Sequence, residues 1–264
     1  MHLNRVRPDL LGSVTRAGIA IALGLSVSAC ASLPGIGGTS WKEELLLHDG
    51  SRIIVKRSQS YGGRHEIGQR PPIKAQRITF TVPGSPRSLT WTSEYSKDIG
   101  RSNLKPVALH ISQGVPYVVA VPNLCLSYNK WGRPNPPYVV FRQGGKAWQR
   151  ISMAELPLEF KDINLVVATS ADRKTLTKHT VVSADLVREL NSTLDQPEYQ
   201  RILRESIPNA GGSGCGEMVG NGKGAWLGIG WFKDKPSLKA CLLYCTQRDF
   251  SAEYCPCNRL FEEH

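Results

Sequence analysis

Four turn signals, each lying between two short runs rich in β-branched and aromatic residues, constrain the fold more than any other feature of this sequence. They are the dipeptides Asp49-Gly50, Gln113-Gly114 and Gly144-Gly145, and the segment Pro83-Gly84-Ser85-Pro86. Glycine with its access to positive φ and proline with its fixed φ favour tight turns between antiparallel strands, and Asp-Gly suits a two-residue turn. Four hairpins within about 110 residues predict a sandwich or a partly closed barrel.

The pattern becomes helical after one more apolar, β-branched run, Asn164 to Thr169, which predicts a further strand. Ser183 can cap a helix that carries leucine and valine side chains on one face. Asp195 can cap a second helix, with Pro197 in its first turn. Closer to the carboxyl terminus, Trp226 to Phe232 predicts a short strand.

These patterns together predict an α+β fold of mainly antiparallel β hairpins, a helical pair and a disulfide-rich C-terminal lobe. The β-rich body covers residues 41–170. The helical pair and the cysteine-rich lobe cover residues 171–264 and can share one core with the body. No apolar run reaches the roughly 18 residues of a membrane-spanning helix, which excludes a polytopic membrane protein.

The amino terminus has the three parts of a secretory signal. Residues 1–16 carry three arginines against one aspartate, residues 17–27 are apolar, and small residues precede Cys30. A charged segment, a short apolar segment and a small-residue cleavage site are typical of exported chains. Val27-Ser28-Ala29-Cys30 resembles the lipobox of bacterial lipoproteins.

This resemblance implies that the signal, residues 1–29, is removed and that Cys30 becomes the lipidated first residue, carrying diacylglyceryl and acyl chains such as palmitate. Each buried methylene contributes about 0.8 kcal/mol, so several chains make a durable membrane anchor. The same resemblance implies that Ala31, directly after the lipidated cysteine, directs the protein to the outer membrane, where it faces the periplasm. The Gly/Pro/Ser-rich residues 30–40 predict a flexible tether.

Three further segments, residues 41–50, 62–69 and 128–141, are similar to a group of uncharacterised proteobacterial lipoproteins. The likeness spans about half of the mature chain. It carries no known activity, so it supports the location and implies no mechanism.

Six cysteines remain when Cys30 is lipidated. An even number in an exported chain favours disulfides, because the periplasm is oxidising, but the spacing does not choose among the pairings. The alternative is a zinc site formed by the last four cysteines, whose intervals differ from paired C-x2-C knuckles. We therefore expect disulfides and neither a metal nor a cofactor. The candidates are Cys125, Cys215, Cys241, Cys245, Cys255 and Cys257.

Catalytic patterns are weak in this sequence. The Gly-rich segment 211–224 lacks the spacing of a phosphate-binding loop. His65 and Glu66, in the Gly-flanked segment 62–69, offer a base and a carboxylate for general acid–base work. Adjacent side chains rarely point the same way, so a distant carboxylate would have to complete the site. This pair defines an alternative function, an envelope hydrolase.

The densest cluster of aromatic, amide and cationic side chains lies between Tyr128 and Tyr138, where prolines favour an extended path. Such groups can stack on and hydrogen-bond a ligand. The formal charge is +11, and it becomes +9 when three arginines and one aspartate leave with the signal, which still favours an anionic ligand. The competing interpretation is a rigid connection whose aromatic side chains enter the core. The candidate binding residues are Lys130, Trp131, Arg133, Asn135 and Tyr138.

The favoured function is that of a lipid-anchored cell-envelope protein with a binding or structural role. Its expected partners are the membrane, through the anchor, and an anionic envelope glycan or lipid, or another envelope protein. Enzymatic activity is the less favoured alternative. No nucleic-acid-binding motif occurs, so we expect no nucleic acid partner.

Overall fold

A computed structural model describes residues 38–208 and 214–261 of the chain. The predicted signal, the lipidated Cys30 and the tether up to residue 37 lie outside the described residues. Among the described helices, none has the length and apolarity needed to cross a membrane.

The first sheet is antiparallel, with its strands in sequence order. Alternate residues of its first strand are buried, namely Thr39, Trp41, Glu43 and Leu45, as expected for a sheet with one face on the core. Its strands are β1 (Gly38–Leu46), β2 (Arg52–Tyr61), β3 (Ile73–Thr81) and β4 (Ser88–Thr92).

A short hairpin leads from the first sheet to a second antiparallel sheet, in which the order is β10-β9-β8-β7. Burial along β7 is almost continuous from Leu104 to Ile111, because both faces of this sheet are covered. The short hairpin is formed by β5 (Tyr95–Ser96) and β6 (Arg101–Ser102). The second sheet contains β7 (Leu104–Ser112), β8 (Val115–Pro122), β9 (Val139–Gly144) and β10 (Ala147–Ile151).

The two sheets pack face to face around one apolar core. Leu45 and Ile78 of the first sheet belong to the same buried cluster as Leu109 and Val118 of the second. Burying each such side chain contributes about 1.5–3 kcal/mol. The other face of the second sheet packs on a separate cluster that includes Phe160. The prediction of an α+β fold with antiparallel hairpins is confirmed, and the described sheets form a sandwich rather than a closed barrel.

The four hairpins are confirmed, with differences at two turns. Gly144 pairs with Ala147, so the turn predicted at Gly144-Gly145 is formed by Gly145 and Lys146. Gln113 and Gly114 both have positive φ, 49° and 73°, as a two-residue turn between twisted strands requires. The turn at Asp49-Gly50 is longer than predicted. There the Leu47 N–H donates to Ser51 O at 2.8 Å, leaving three residues in the loop, and Gly50 alone takes a positive φ.

The predicted strand at residues 164–169 was wrong, although its side chains are buried. The N–H of Leu165 donates to Val107 O at 3.1 Å, whereas the N–H of Val166 donates to the Glu43 carboxylate at 3.3 Å. The N–H of Val167 donates to the Asn191 side chain at 3.0 Å. Because the partners are a strand, a carboxylate and a helix side chain, no ladder forms.

The first predicted helix is confirmed and the second was wrong. The Ser183 hydroxyl accepts from the Leu186 N–H at 3.2 Å and caps the helix. Beyond Asp195 there is only one turn of 3-10 helix, Pro197–Tyr199, because the next residues extend and Ile202 N donates to Lys161 O at 2.8 Å. The sequence analysis predicted neither of two shorter helices, one between β8 and β9 and one that precedes the Ser183-capped helix. The three helices are α1 (Leu124–Lys130), α2 (Arg173–Lys178) and α3 (Ala184–Ser192).

The C-terminal lobe has a small core of its own, in which Phe232, Tyr244 and Phe250 pack with cysteines. The strand predicted at residues 226–232 covers only its first three residues, and the rest forms a helical turn. The elements are β11 (Met218–Gly220), β12 (Trp226–Gly228), α4 (Gly230–Lys233), α5 (Leu238–Gln247) and α6 (Cys257–Phe261).

The prediction of disulfides is confirmed. One bond joins Cys125 in α1 to Cys215 beside β11, across 90 residues of sequence, and the other two lie within the lobe. All four cysteines of the alternative zinc site have their sulfurs bonded to one another, so none of them offers the thiolate that zinc needs. The pairs within the lobe are Cys241–Cys257 and Cys245–Cys255.

Candidate functional site

The structure places His65 and Glu66 in an exposed loop between β2 and β3. The Nδ1 atom of His65 lies 2.8 Å from the carbonyl oxygen of Gly63, and the Glu66 carboxylate accepts from the Gln69 amide at 3.1 Å. Within the described part of the chain, no carboxylate is hydrogen-bonded to the His65 ring. The distant carboxylate that a hydrolase would need is therefore not brought to this loop.

Three of the five candidate binding residues have structural roles. Tyr138 is 5% exposed, and burial raises the pKa of its phenol. Its hydroxyl lies 2.9 Å from the carbonyl oxygens of Glu198 and Arg201. The Asn135 side chain accepts from the Ile207 N–H at 2.8 Å. Trp131 packs edge-to-face against the ring of Phe141 and under the guanidinium of Arg150. These contacts match the interpretation of the segment as a rigid connection.

The other two candidates, Lys130 and Arg133, line a cavity of about 640 Å³ that we call the lobe groove. One wall is formed by the end of α1 and by Asp98. The opposite wall is formed by β11, β12 and residues 253–259 of the C-terminal lobe.

The two candidate cations, Lys130 and Arg133, already have partners within the protein. The ammonium of Lys130 lies 3.3 Å from the Asp98 carboxylate and 3.5 Å from that of Glu94. The guanidinium of Arg133 donates to the Cys215 carbonyl at 3.1 Å and stacks over the Tyr128 ring. Arg133 therefore joins α1 to the lobe, and neither cation is free to attract an anion.

The base of the 62–69 loop approaches the same region. The N–H of Arg64 donates to the carbonyl oxygen of Gly100 at 3.0 Å, at the end of the turn that carries Asp98. A Cβ atom on Gly63 would lie 2.1 Å from that same oxygen, so only glycine fits at this contact. The loop thus docks near the groove through its backbone, while His65 and Glu66 do not line it.

A second cavity, of about 390 Å³, lies at the other end of α1, and we call it the basic pocket. Its only charged lining residues among those that the structure describes are Arg101 of β6 and Lys105 of β7. Gln76, Asn123 and Thr169 add amide and hydroxyl groups to the lining.

The two cations of the basic pocket have no acidic partner in residues 38–208 and 214–261. Lys105 is partly buried, and burial lowers the pKa of its ammonium. Its Nζ atom lies over the ring of Tyr199, 5.2 Å from the ring centre. Removing an ammonium from water without a counter-charge is unfavourable. An anionic ligand would supply that missing charge.

The polar floor of the basic pocket is held by the inner face of the first sheet. The Gln59 amide donates to the Thr169 hydroxyl at 2.5 Å, and it lies 3.3 Å from the amide oxygen of Gln76. The Asn123 amide donates to the Ser102 carbonyl at 3.0 Å. Because Gln59, Gln76 and Thr169 are all at most 5% exposed, the floor is preformed rather than assembled by a ligand.

Sequence reasoning missed the basic pocket because its residues come from four separate stretches of the chain, within residues 72–76, 101–105, 123–124 and 167–171. The one available signal was a lysine at position 105, close to the apolar run that predicted β7. A lysine beside a buried strand is unusual unless it snorkels to solvent or meets a counter-charge.

Comparison with known proteins assigns no ligand or activity to these two cavities. No family model, curated protein or solved structure that we compared with the chain matches it.

Proposed function

We propose that this protein is a lipid-anchored component of the bacterial cell envelope, facing the periplasm from the outer membrane, that binds an anionic envelope glycan or lipid in the basic pocket. The observation that carries this proposal is the pairing of Arg101 and Lys105 in one cavity that has no carboxylate among its described lining residues. The lipobox at Cys30 supports the location. So do the three disulfides, since such bonds persist in oxidising compartments.

The chemistry of the basic pocket suits a phosphate or a carboxylate group. A guanidinium offers two parallel N–H donors to such a group, and an ammonium offers a compact point charge. The buried amides and the Thr169 hydroxyl can bond the oxygens of a sugar next to the acid. A phosphorylated lipid headgroup and an acidic polysaccharide present the same combination, and the experiment below separates the two.

We expect Lys105→Met to weaken binding of lipopolysaccharide by about 10- to 100-fold, because a hydrogen bond to a charged group contributes about 1.5–3 kcal/mol. Methionine keeps the packing of the lysine stem and removes only the charge. Binding is measured by calorimetry on the full chain in detergent, with polygalacturonate as the acidic glycan in a parallel titration. The stronger of the two ligands identifies the source of the anion.

The matched control is Lys146→Met, which removes an equal charge from an exposed hairpin tip. Equal losses from both variants would mean that net charge, not the basic pocket, attracts the ligand, and absence of binding to either polymer would refute the proposal.

Burial lowers the pKa of Lys105, and the ammonium is present only below that pKa. Affinity should therefore fall as the pH rises, before an ordinary lysine titrates.

We expect Cys30→Ala to abolish incorporation of labelled palmitate and to leave the signal attached, so that the product gains the mass of residues 1–29 and lacks the mass of the lipid. The thiol of Cys30 is the proposed acceptor of the lipid, and the lipobox that Val27-Ser28-Ala29-Cys30 resembles places the cleavage directly before this cysteine. Labelling and mass spectrometry of membrane fractions measure both effects. Ser32→Ala is the control, and a labelled, shortened Cys30→Ala product would contradict the anchor.

A further inference from the structure

The lobe groove differs from the basic pocket in the balance of its charges. Three cationic and three anionic side chains line it. Lys130 is paired with Asp98 at 3.3 Å, and Arg259 with Glu217 at 3.3 Å. Since these charges neutralise one another, the groove offers little net attraction to a polyanion.

Two aromatic side chains, Trp226 and Tyr254, line the groove on the side of the lobe. Glycines back both rings. A Cβ atom on Gly220 would lie 3.1 Å from the Trp226 ring, and one on Gly222 would lie 2.7 Å from the Tyr254 ring. The rings therefore rest directly on backbone that carries no side chain. Gly222 also has a φ of 74°, a second reason for glycine there.

Both rings leave part of their surface accessible to a ligand. Tyr254 is 43% exposed, although it lies against the backbone on one side. Trp226 is partly exposed and lines the groove as well, so both rings have surface on which a ligand can stack.

The groove is also rigid before any ligand arrives. The Cys125–Cys215 bond crosses from α1 to the lobe beside it. The Asn129 side chain donates to Gly216 O at 3.0 Å and accepts from the Met218 N–H at 2.9 Å. The Cys245–Cys255 bond fixes the segment that carries Tyr254. Because the walls are already ordered, binding of a ligand costs less conformational entropy.

We infer that the lobe groove binds an uncharged oligosaccharide, whose sugar rings stack on Tyr254 and Trp226. A pyranose ring has an apolar C–H face and a rim of hydroxyl groups, so its recognition needs flat aromatic surfaces beside hydrogen-bonding side chains. The Glu253 carboxylate lines the groove and forms no ion pair within the described chain, so it accepts from sugar hydroxyls. The volume lies within the range of about 300–1,000 Å³ that is typical of ligand sites.

This site is independent of the basic pocket. Leu124, at the start of α1, lines the basic pocket, and Lys130, at its end, lines the lobe groove. The seven residues of α1 rise about 1.5 Å each, so the helix separates the two cavities by about 10 Å. A ligand in the groove does not depend on Lys105.

The inference is tested by titrating the full chain in detergent with chitotetraose and with maltotetraose while recording tryptophan fluorescence. We expect at least one of the two to bind and shift the emission. Tyr254→Ala should weaken that binding at least fivefold, whereas Tyr254→Phe, which keeps the ring, should stay within about twofold of the original. Lys105→Met should leave it unchanged, so failure here and failure of the proposed anion site are distinguishable.

A second variant, Glu253→Gln, tests the hydroxyl acceptor and should weaken binding severalfold even if Tyr254→Ala fails to fold. The inference is overturned if neither tetrasaccharide binds at about 10 mM. It is also overturned if Tyr254→Ala, shown to be folded by near-ultraviolet circular dichroism, binds as the original does. Tighter, Tyr254-dependent binding of tetragalacturonate would overturn the assignment to an uncharged ligand.

Discussion

Replacing Arg57 by methionine should lower the free energy of unfolding by about 3–5 kcal/mol, because it leaves a carboxylate buried without its counter-charge. Arg57 and Glu43 are 1% and 0% exposed, and Nη1 of Arg57 lies 3.1 Å from both carboxylate oxygens. The indole of Trp41 also donates to Glu43, at 2.6 Å. Urea unfolding followed by circular dichroism measures the loss.

The matched comparison is the double variant Glu43→Gln/Arg57→Met. The other two donors to Glu43 bond different oxygens, the Trp41 indole Oε1 and the Val166 N–H Oε2, so glutamine keeps an acceptor for only one of them. The double variant should still be more stable than Arg57→Met alone, since it removes the buried unpaired charge and loses only one neutral hydrogen bond. If it is as unstable as the single variant, the loss comes from packing of the arginine stem and from the lost acceptor, not from the buried charge.

The buried pair belongs to a polar half of the first sheet's inner face. Leu45 and Ile78 occupy the apolar half, whereas Arg57, Gln59 and Gln76 occupy the other. The Arg57 guanidinium lies 3.5 Å from the Gln76 oxygen, and both glutamines reach the floor of the basic pocket. One half of the inner face therefore packs against the second sheet, and the other half forms and supports the polar floor of the basic pocket.

The hairpins could be predicted from sequence because their signals are local. Gln113-Gly114 supplies two adjacent positive φ values, and the alternation of Trp41, Glu43 and Leu45 places the three on one face of a strand. That same alternation places a carboxylate inward, which was an available sign of a buried partner. The partner itself, Arg57, depends on the register of β1 against β2, and a pattern within one strand does not give the register.

Local signals failed where a tertiary contact competed with them. Asp195 and Pro197 have the chemistry of a helix start, yet the chain extends so that Ile202 N can bond Lys161 O. The run at residues 164–169 has strand-forming side chains, but its N–H groups bond three unrelated elements. In both places hydrogen bonds to distant residues determine the backbone conformation and override the intrinsic preference of the local sequence.

The candidate sites were the least predictable part. The cluster between Tyr128 and Tyr138 was found by composition, and its members separate once folded because α1 turns Lys130 toward the lobe while Tyr138 enters the core. The basic pocket gathers Arg101, Lys105 and Thr169 from segments that only the sandwich brings together. The number of cysteines predicted disulfides, but only the fold pairs Cys125 with Cys215.

Removing the Cys125–Cys215 bond should lower the free energy of unfolding by roughly 4–5 kcal/mol in the double variant Cys125→Ala/Cys215→Ala. The bond closes a loop of 90 residues, and the stabilisation by a cross-link grows with the logarithm of the loop length. Because both cysteines are only partly buried, little packing is lost with their sulfurs. Urea unfolding of the oxidised proteins gives the difference.

The single variants Cys125→Ala and Cys215→Ala separate the cross-link from the side chains. Each single change already breaks the bond, so both singles and the double should lose the same amount, and the effects should be far from additive. A double variant that loses the sum of the two singles would show that side-chain contacts carry the effect. A loss below about 1 kcal/mol would show that the loop is already restricted in the unfolded chain, since a cross-link acts largely by limiting that state. The same bond links α1 to the lobe, and its removal leaves the hydrogen bonds from Arg133 to the residue 215 carbonyl and from Asn129 to the Gly216 carbonyl as the contacts that still join the two.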